Sequence, residues 1–433
     1  MNTSTVALPA GGAPLPAPGR RVLLSALDVY WVALPPVRCV FLFQSPPSVQ
    51  FTDVVSALRS SLERVLPAFY PFAGVLTYSP DSHALSIVLP EACGVAFVEA
   101  KTDLELDNLV DDDDVLRQLS PDIHRDELPA PVMAVQVTEI VGGVAVGMAV
   151  HHCAADGRGQ LRFLEMWTAT ARGQVCPGPE PLHDRRLVRF HGDDDLARLY
   201  LQQLAPDLPR VAPKEDIARE QGHALSRRTF TFSASAVRRL KQRLAATANT
   251  RTYPSTFAAM ASLGWVSMAR ARGFTDDTPV FVVFLADCRA HMSPPVPGEY
   301  VGNSVALCTA SLSGLELTRP EGPSMALLAI QEAVAEVKRD PLVDRAQWCA
   351  KFAAIPPGRG VVLAGSPWFH AYEMDFGFGR PARFLTSMNH DGEIMLIAGR
   401  EPGSVQLSVL IDAEKMPALH ATFQLERHGD ANA

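Results

Sequence analysis

The 433-residue chain has no apolar run of 18 or more residues, so no stretch of it is long enough to cross a bilayer as a helix. It has no C-x-x-C pair either. Its seven cysteines (Cys39, Cys93, Cys153, Cys176, Cys288, Cys308 and Cys349) are scattered and odd in number, which argues against a disulfide framework and a zinc ribbon and fits a reducing, cytoplasmic setting. Neither H-E-x-x-H nor G-x-S-x-G occurs, so the helical zinc-protease pattern and the serine-hydrolase elbow are both missing. Positive charge is short as well: 39 Lys and Arg against 47 Asp and Glu leave a net charge of -8, with no basic excess to release counterions from a nucleic acid. What is present is 47% hydrophobic and 20% charged residues, the make-up of an ordinary globular protein, in a chain long enough for two or three domains at about 150 residues each.

Apolar periodicity orders the chain. A Pro/Gly-rich start, residues 1–21, reads as a flexible leader. "VRCVFLFQ" reads as a strand, and "TDVVSALRSSLERVLPAF" as a helix with Thr52 at its N-cap. The "DDDD" tract at 111–114 reads as a solvated helix start or loop. "PVMAVQVTEI" and "VAVGMAV" flank "VGG" as a hairpin; the second run is apolar throughout, which predicts a strand covered on both faces. "GRGQLRFLEMWTATARG" follows as an amphipathic helix. Residues 174–226, rich in proline and charge, read as a linker between an N-terminal domain (1–173) and a C-terminal domain (227–433). Strands and helices alternate on both sides of the linker, which predicts α/β architecture.

The hairpin ends in "AVHHCAADGRGQ", two histidines where a buried strand meets a turn and a helix. Such a junction holds a side chain rigidly while leaving it accessible, and a histidine there takes up protons near neutral pH. His151, His152 and Asp156 make an incomplete ligand set for zinc, so no metal is expected. Cys153 follows His152 directly, and adjacent strand residues point to opposite faces, so the histidine is badly placed to activate that thiol. His152 as general base toward a substrate hydroxyl or amine remains. Asp156 either accepts an imidazole proton or fixes the loop through a salt bridge, and spacing alone does not decide.

With "HHCAADG" and, about 220 residues on, "DFGFGRP", the chain resembles the plant BAHD acyl-CoA-dependent acyltransferases, whose signatures are H-x-x-x-D-G and D-F-G-W-G. "LPAFYPFAG", "STFAAMASLGWV", "ADCRAHMSPPVP" and "GEYVGNS" extend the likeness over nearly the whole chain. The last of these is similar to the Y-F-G-N-C tag of the clade that acylates flavonoid and anthocyanin glycosides, usually with malonyl-CoA, and departs from it at two of five positions.

The resemblance implies two chloramphenicol-acetyltransferase-like domains with mixed central sheets, joined by a long crossover loop, with a channel at their interface. It implies a cytoplasmic monomer whose partners are an acyl-CoA co-substrate and a small phenolic or glycoside acceptor, with no permanently bound cofactor, no nucleic acid and no membrane. It makes His152 the base and Asp156 an orienting residue paired with Arg289. It carries coenzyme A contacts onto Ser255 and Thr256 at a helix start, onto Tyr300, Gly302 and Asn303, and onto Asp375, Gly377, Phe378 and Gly379 in the loop that shapes the coenzyme channel. Phe378 replaces the usual tryptophan and so lacks its indole N–H. Arg158 and Arg162 are expected either to meet a malonyl carboxylate or to face solvent. The implied alternative is a hydroxycinnamoyl transferase acting on another alcohol or amine.

Overall fold

A computed structural model describes residues 1–8, 21–44, 50–109, 112–175, 178–211, 224–248 and 253–428. Cys176 and Asp111 fall outside them. The chain divides into two compact units. One comprises 1–214 with 294–304 and 371–387; the other comprises 215–293, 305–370 and 388–433.

The first unit is built on a six-stranded mixed sheet in the order β1 (Asn2–Ala7), β6 (Gly94–Glu105), β8 (Met133–Val141), β9 (Gly143–Val150), β3 (Val37–Gln44) and β14 (Arg383–Thr386). Only β6 and β8 run parallel; the other neighbours are antiparallel. A small sheet lies beside it, ordered β2 (Arg21–Leu23), β5 (Ala84–Val88), β4 (Val75–Ser79) and β7 (Ala130–Pro131). The hairpin β8–β9 forms as the two apolar runs about "VGG" predict, and every residue of β9 is buried. On one face Val40, Leu42 and Ala145 pack with Leu116 and Leu119 of helix α3 (Asp113–Leu119), whose N-cap is Asp112. Elsewhere in the unit α2 (Phe51–Val65) and α4 (Gly157–Ala171) meet through Trp167, whose indole donates to Ser61 Oγ at 3.0 Å.

The second unit has its own six-stranded mixed sheet, β10 (Leu225–Phe232), β16 (Val405–Asp412), β15 (Glu393–Ala398), β13 (Gly360–Ser366), β11 (Pro279–Asp287) and β12 (Val305–Ser313). β13 runs parallel to β11 and to β15. It carries α6 (Ala234–Thr247), α7 (Thr256–Ala271), α8 (Gly322–Arg339) and α9 (Met416–His428). α7 is buried almost all round, in keeping with "FAAMASLGWVSMA". The α/β class with two mixed sheets is thus the observed one.

Four local expectations change. Residues 2–7 are not a flexible leader but edge strand β1, because β-branched Thr3, Thr5 and Val6 suit a strand and Val6 is buried. Helix α2 starts a residue before Thr52, with Gln50 at its N-cap. The linker region contains helix α5 (Asp193–Leu204), whose three first-turn aspartates favour the helix N-terminus while Leu196, Tyr200 and Leu201 turn inward. Finally, 294–304 and 371–387 belong with the first unit: β14 pairs with β3, and Tyr300 bridges to Leu182. Among the described residues, no helix is long and apolar enough to cross a membrane, and no three His, Cys, Asp or Glu residues gather as metal ligands.

Candidate active site

Strand β9 ends at Val150, and the two histidines turn off it in different ways. His151 is 2% exposed; its N–H donates to Val132 O at 2.8 Å, its carbonyl accepts from Ala154 N, and its Nδ1 accepts from Cys153 N at 3.3 Å. Burial, with lesser help from His152 and Arg125, pushes its pKa down to about 4, so it is a neutral residue that ties the turn. Cys153 is also shut in, its thiol raised well above its ordinary value chiefly by burial.

His152 is only half-buried. Its imidazole stacks on Trp31, ring centroids 4.2 Å apart and planes 24° from parallel. Nδ1 is sealed from solvent and has no partner of good hydrogen-bond geometry, although its own carbonyl and the Asn303 side chain are close enough to favour the charged ring. Burial is the larger influence and lowers the pKa, against the opposing pull of Asp156 and Asp28. The ring is therefore held neutral near neutral pH, with Nε2 as the nitrogen left to take a proton.

Asp156 is the N-cap of α4: Oδ1 accepts from Gly159 N, and Oδ2 accepts from the buried Ser304 amide, both at 3.0 Å. A short polar side chain at the end of a turn is the usual means of starting a helix, and here it also joins the loop to segment 294–304.

Beneath the loop lies a buried polar network that sequence spacing did not reveal. "SALD" forms a capping box, Ser25 and Asp28 bonding reciprocally around α1 (Ala26–Val29). Asp28 Oδ1 accepts from both Asn303 N (3.0 Å) and Asn303 Nδ2 (2.9 Å). Asn303 Nδ2 donates also to the carbonyl of His152. Arg185 Nε lies 3.2 Å from Asp28 Oδ2, both side chains being at most 2% exposed. The guanidinium donates further to Val301 O (2.5 Å), Ala154 O (2.6 Å) and His183 O (3.3 Å), and stands over the Tyr300 ring. Burial opposes the charge of Arg185, yet Asp28, Tyr300, Tyr70 and Asp156 outweigh it and raise its pKa. From α5, Asp193 accepts from Ala26 N at 3.2 Å and so holds α1 from the other side.

The remaining residues singled out in the sequence fall into separate places. Asn303 and Tyr300 are at most 1% exposed, and Gly302 has no room for a side chain, since a Cβ there would strike the Tyr300 hydroxyl and the Arg185 guanidinium. These three line the network under the histidine. Asp375 Oδ1 accepts from Gly377 N (2.7 Å) and Gly379 N (2.9 Å), while Arg172 donates to its carbonyl. Both glycines take φ near +100°, a conformation that other residues avoid. Phe376 meets Trp167, and Phe378 meets Phe43 edge-to-face at 4.7 Å. Phe43 pairs with Val144 at the start of β9, six residues from Val150 and so roughly 20 Å from the end that carries His152. Arg158 is exposed, and Arg162 donates to Pro179 O beside Glu165.

In the second unit, Ser255 is the N-cap of α7, its hydroxyl accepting from Ala258 N at 3.1 Å, and Thr256 Oγ1 accepts from Lys241 Nζ at 3.5 Å. Arg289 is 2% exposed and donates to Asp287 Oδ1 at 3.1 Å.

A sequence model of the transferase family matches residues 11–426. Among curated proteins, the chain is 27% identical to phenolic glucoside malonyltransferase 1 of Arabidopsis thaliana, over 92% of this chain and 91% of that one. It is 31% identical to the BAHD acyltransferase DCR of Arabidopsis thaliana (85% and 79%) and 29% identical to anthranilate N-benzoyltransferase protein 2 of Dianthus caryophyllus (84% of each). Among solved structures it resembles vinorine synthase, with a TM-score of 0.73 at 18% identity over 96% and 95% of the two chains. It also resembles the F. graminearum TRI101 complex with coenzyme A and T-2 mycotoxin, with a TM-score of 0.71 at 18% identity over 93% and 97%.

Proposed function

Because the chain belongs to the BAHD branch of the transferase family, and so is an acyl-CoA-dependent acyltransferase, we propose that it moves an acyl group, malonyl foremost, from coenzyme A to a hydroxyl of a phenolic, flavonoid or anthocyanin glycoside with His152 as general base. The observation that carries this reading is the half-buried imidazole at the end of a rigid strand with Nδ1 sealed inside, so the proton exchanged with substrate is assigned to Nε2.

The steps follow from that nitrogen. Nε2 removes the proton of the acceptor hydroxyl as its oxygen attacks the thioester carbonyl; the C–S bond breaks as the tetrahedral intermediate collapses, and the imidazolium returns the proton to the departing thiolate. No bond to the protein forms. Asp156 takes no proton in this scheme, because both its oxygens serve to hold the loop. Arg289 as the cation facing Asp156 belongs to the same proposal, as do the α7 start at Ser255 and Thr256 for a phosphate of coenzyme A. Tyr300, Gly302 and Asn303 are better read as scaffold for His152 than as coenzyme contacts, since they are buried in bonds to Asp28, Arg185 and the His152 carbonyl. Asp375, Gly377, Phe378 and Gly379 are likewise a packing element.

A second reading, an aromatic acyl donor with an amine acceptor, is supported by the likeness to an anthranilate N-benzoyltransferase, 29% identical over 84% of this chain against 27% over 92% for the malonyltransferase. Thiol release and product mass, measured with malonyl-, acetyl-, benzoyl-, coumaroyl- and caffeoyl-CoA against flavonoid glucosides, shikimate and anthranilate, separate the two. The malonyl reading requires the malonyl and glucoside combination to give the highest kcat/KM. A preference for an aromatic donor with anthranilate overturns it.

A further inference from the structure

The mechanism above uses His152 but gives no role to the indole lying flat against it. Trp31 is 6% exposed, a large aromatic residue two places beyond α1, and its neighbours fix it firmly. Its backbone N–H donates to Asp28 O at 3.2 Å, and the Tyr30 ring packs edge-on against the indole at 4.9 Å. Tyr30 in turn rests on Tyr200 of α5, a fully buried ring. The helix turn that supplies Asp28 to the network therefore also carries the plate against which the imidazole is held. A stacked contact at 4.2 Å restricts rotation of the half-buried imidazole about its ring bond.

The π face matters for charge as well as for orientation. An aromatic face attracts a cation placed over it, more strongly where water is excluded. During acyl transfer His152 becomes an imidazolium, and that cation forms directly on the indole. We propose that Trp31 is a positioning residue for acyl transfer, which holds the plane of the His152 ring and stabilises its protonated form while the acceptor proton rests on it. The inference rests on His152 acting as the base. The titratable and charged groups around the ring are Asp156 and the neutral His151 from its own loop and Asp28 from α1, with Arg185 behind Asp28. None of these is altered by a change at Trp31.

Four forms of the enzyme test it, the last a fluorinated Trp31→Phe control. Trp31→Leu keeps apolar bulk but removes the π face; Trp31→Phe keeps a face. The third is the wild-type chain with its five tryptophans replaced biosynthetically by a difluorinated analogue, which weakens the face without changing its shape. Titration of His152 followed by NMR in the unliganded enzyme reads the ring independently of turnover, and kcat against pH reads the reaction. In Trp31→Leu the His152 midpoint is expected to fall by roughly 0.5 to 1.5 pH units, with kcat lower by about tenfold or more. Trp31→Phe should restore both most of the way. The fluorinated enzyme should show a lower midpoint, and the same labelling in the Trp31→Phe background should not, which preserves the test if the leucine variant does not fold.

A wild-type midpoint and kcat in Trp31→Leu or in the fluorinated enzyme overturn the proposal. A phenylalanine variant no better than the leucine one overturns the role of the ring face. Failure of the underlying reading looks different: His152→Gln would then turn over normally whatever the state of Trp31.

Discussion

Asp28 and Arg185 form an ion pair at 3.2 Å with both side chains closed off from water, and between them they bond the backbone at Ala154, His183, Val301 and Asn303. Removing one partner of a buried pair leaves the other charge uncompensated, at a cost of about 3–5 kcal/mol. Arg185→Leu is expected to lower the urea midpoint by that equivalent, and Arg185→Lys to recover little, because a single ammonium cannot span the three carbonyls that the guanidinium fork reaches. Chemical denaturation of both variants checks this; a leucine variant as stable as the parent would show that the network contributes nothing.

His152→Gln should fold normally, since buried Nδ1 has no hydrogen-bond partner of good geometry and the ring is held by its stack on Trp31, and should lose about 10²- to 10⁴-fold in kcat. The pKa of the imidazole is lowered by burial, so the acid limb of kcat/KM should lie below the ordinary histidine value of 6.5. Activity is then retained as pH falls through 6.5 and lost only further down. A limb above 6.5 would contradict the burial argument.

For Asp156, substitution by alanine removes a helix cap and the acceptor for Ser304 N together, and should cost on the order of 1–3 kcal/mol with a parallel fall in activity. Asp156→Asn keeps an acceptor but no charge. If Arg289 serves that charge, Arg289→Ala should be costly in the parent and much less so in the Asp156→Asn background. Additive effects in this double-mutant cycle would separate the two residues.

Asp193 carries a pH dependence of the opposite sign to the histidines. Burial raises its carboxyl to about 6, from an ordinary 3.8, so the folded state holds a proton that the unfolded chain has already released. The parent is thus stabilised relative to Asp193→Asn below 3.8, and this advantage is lost as pH rises through 6. Urea unfolding at pH 8, 6 and 4.5 should show Asp193→Asn doing best, by comparison with the parent, at pH 8. His183, lowered to about 4 by burial, works the other way: its neutral form supports the fold above 6.5, and that support is lost as pH falls toward 4.

Much of this was legible in the sequence where chemistry is local. His152 and Asp156 stand four residues apart at a strand–helix junction, and the apolar run of β9 announced its own burial. Asp28, Trp31 and Arg185 were not legible as a group. Asp28 meets Asn303 across 275 residues, and Arg185 sits in a proline- and charge-rich stretch whose composition suggests surface. Only the S-x-x-D capping box at Ser25 offered a local sign, and it speaks of a helix start, not of a counter-ion. Asn303, onto which the resemblance carries a coenzyme contact, is bonded in the structure to Asp28 and to the His152 carbonyl, partners far from it in the chain.

The first unit is assembled from three separated stretches, the last ending at residue 387. During synthesis His152 is translated early, yet Asp28 and Asp156 must wait for Asn303 and Ser304, and the open edge of β3 must wait for β14. A nascent chain halted at residue 214 would expose an apolar strand edge beside two carboxylates that each lack one amide partner, Asn303 N for Asp28 and Ser304 N for Asp156, a form prone to pair with its own kind. Fragments that stop there should aggregate when expressed, and the enzyme's solubility in a cell will depend on how quickly the ribosome carries the chain past its second signature.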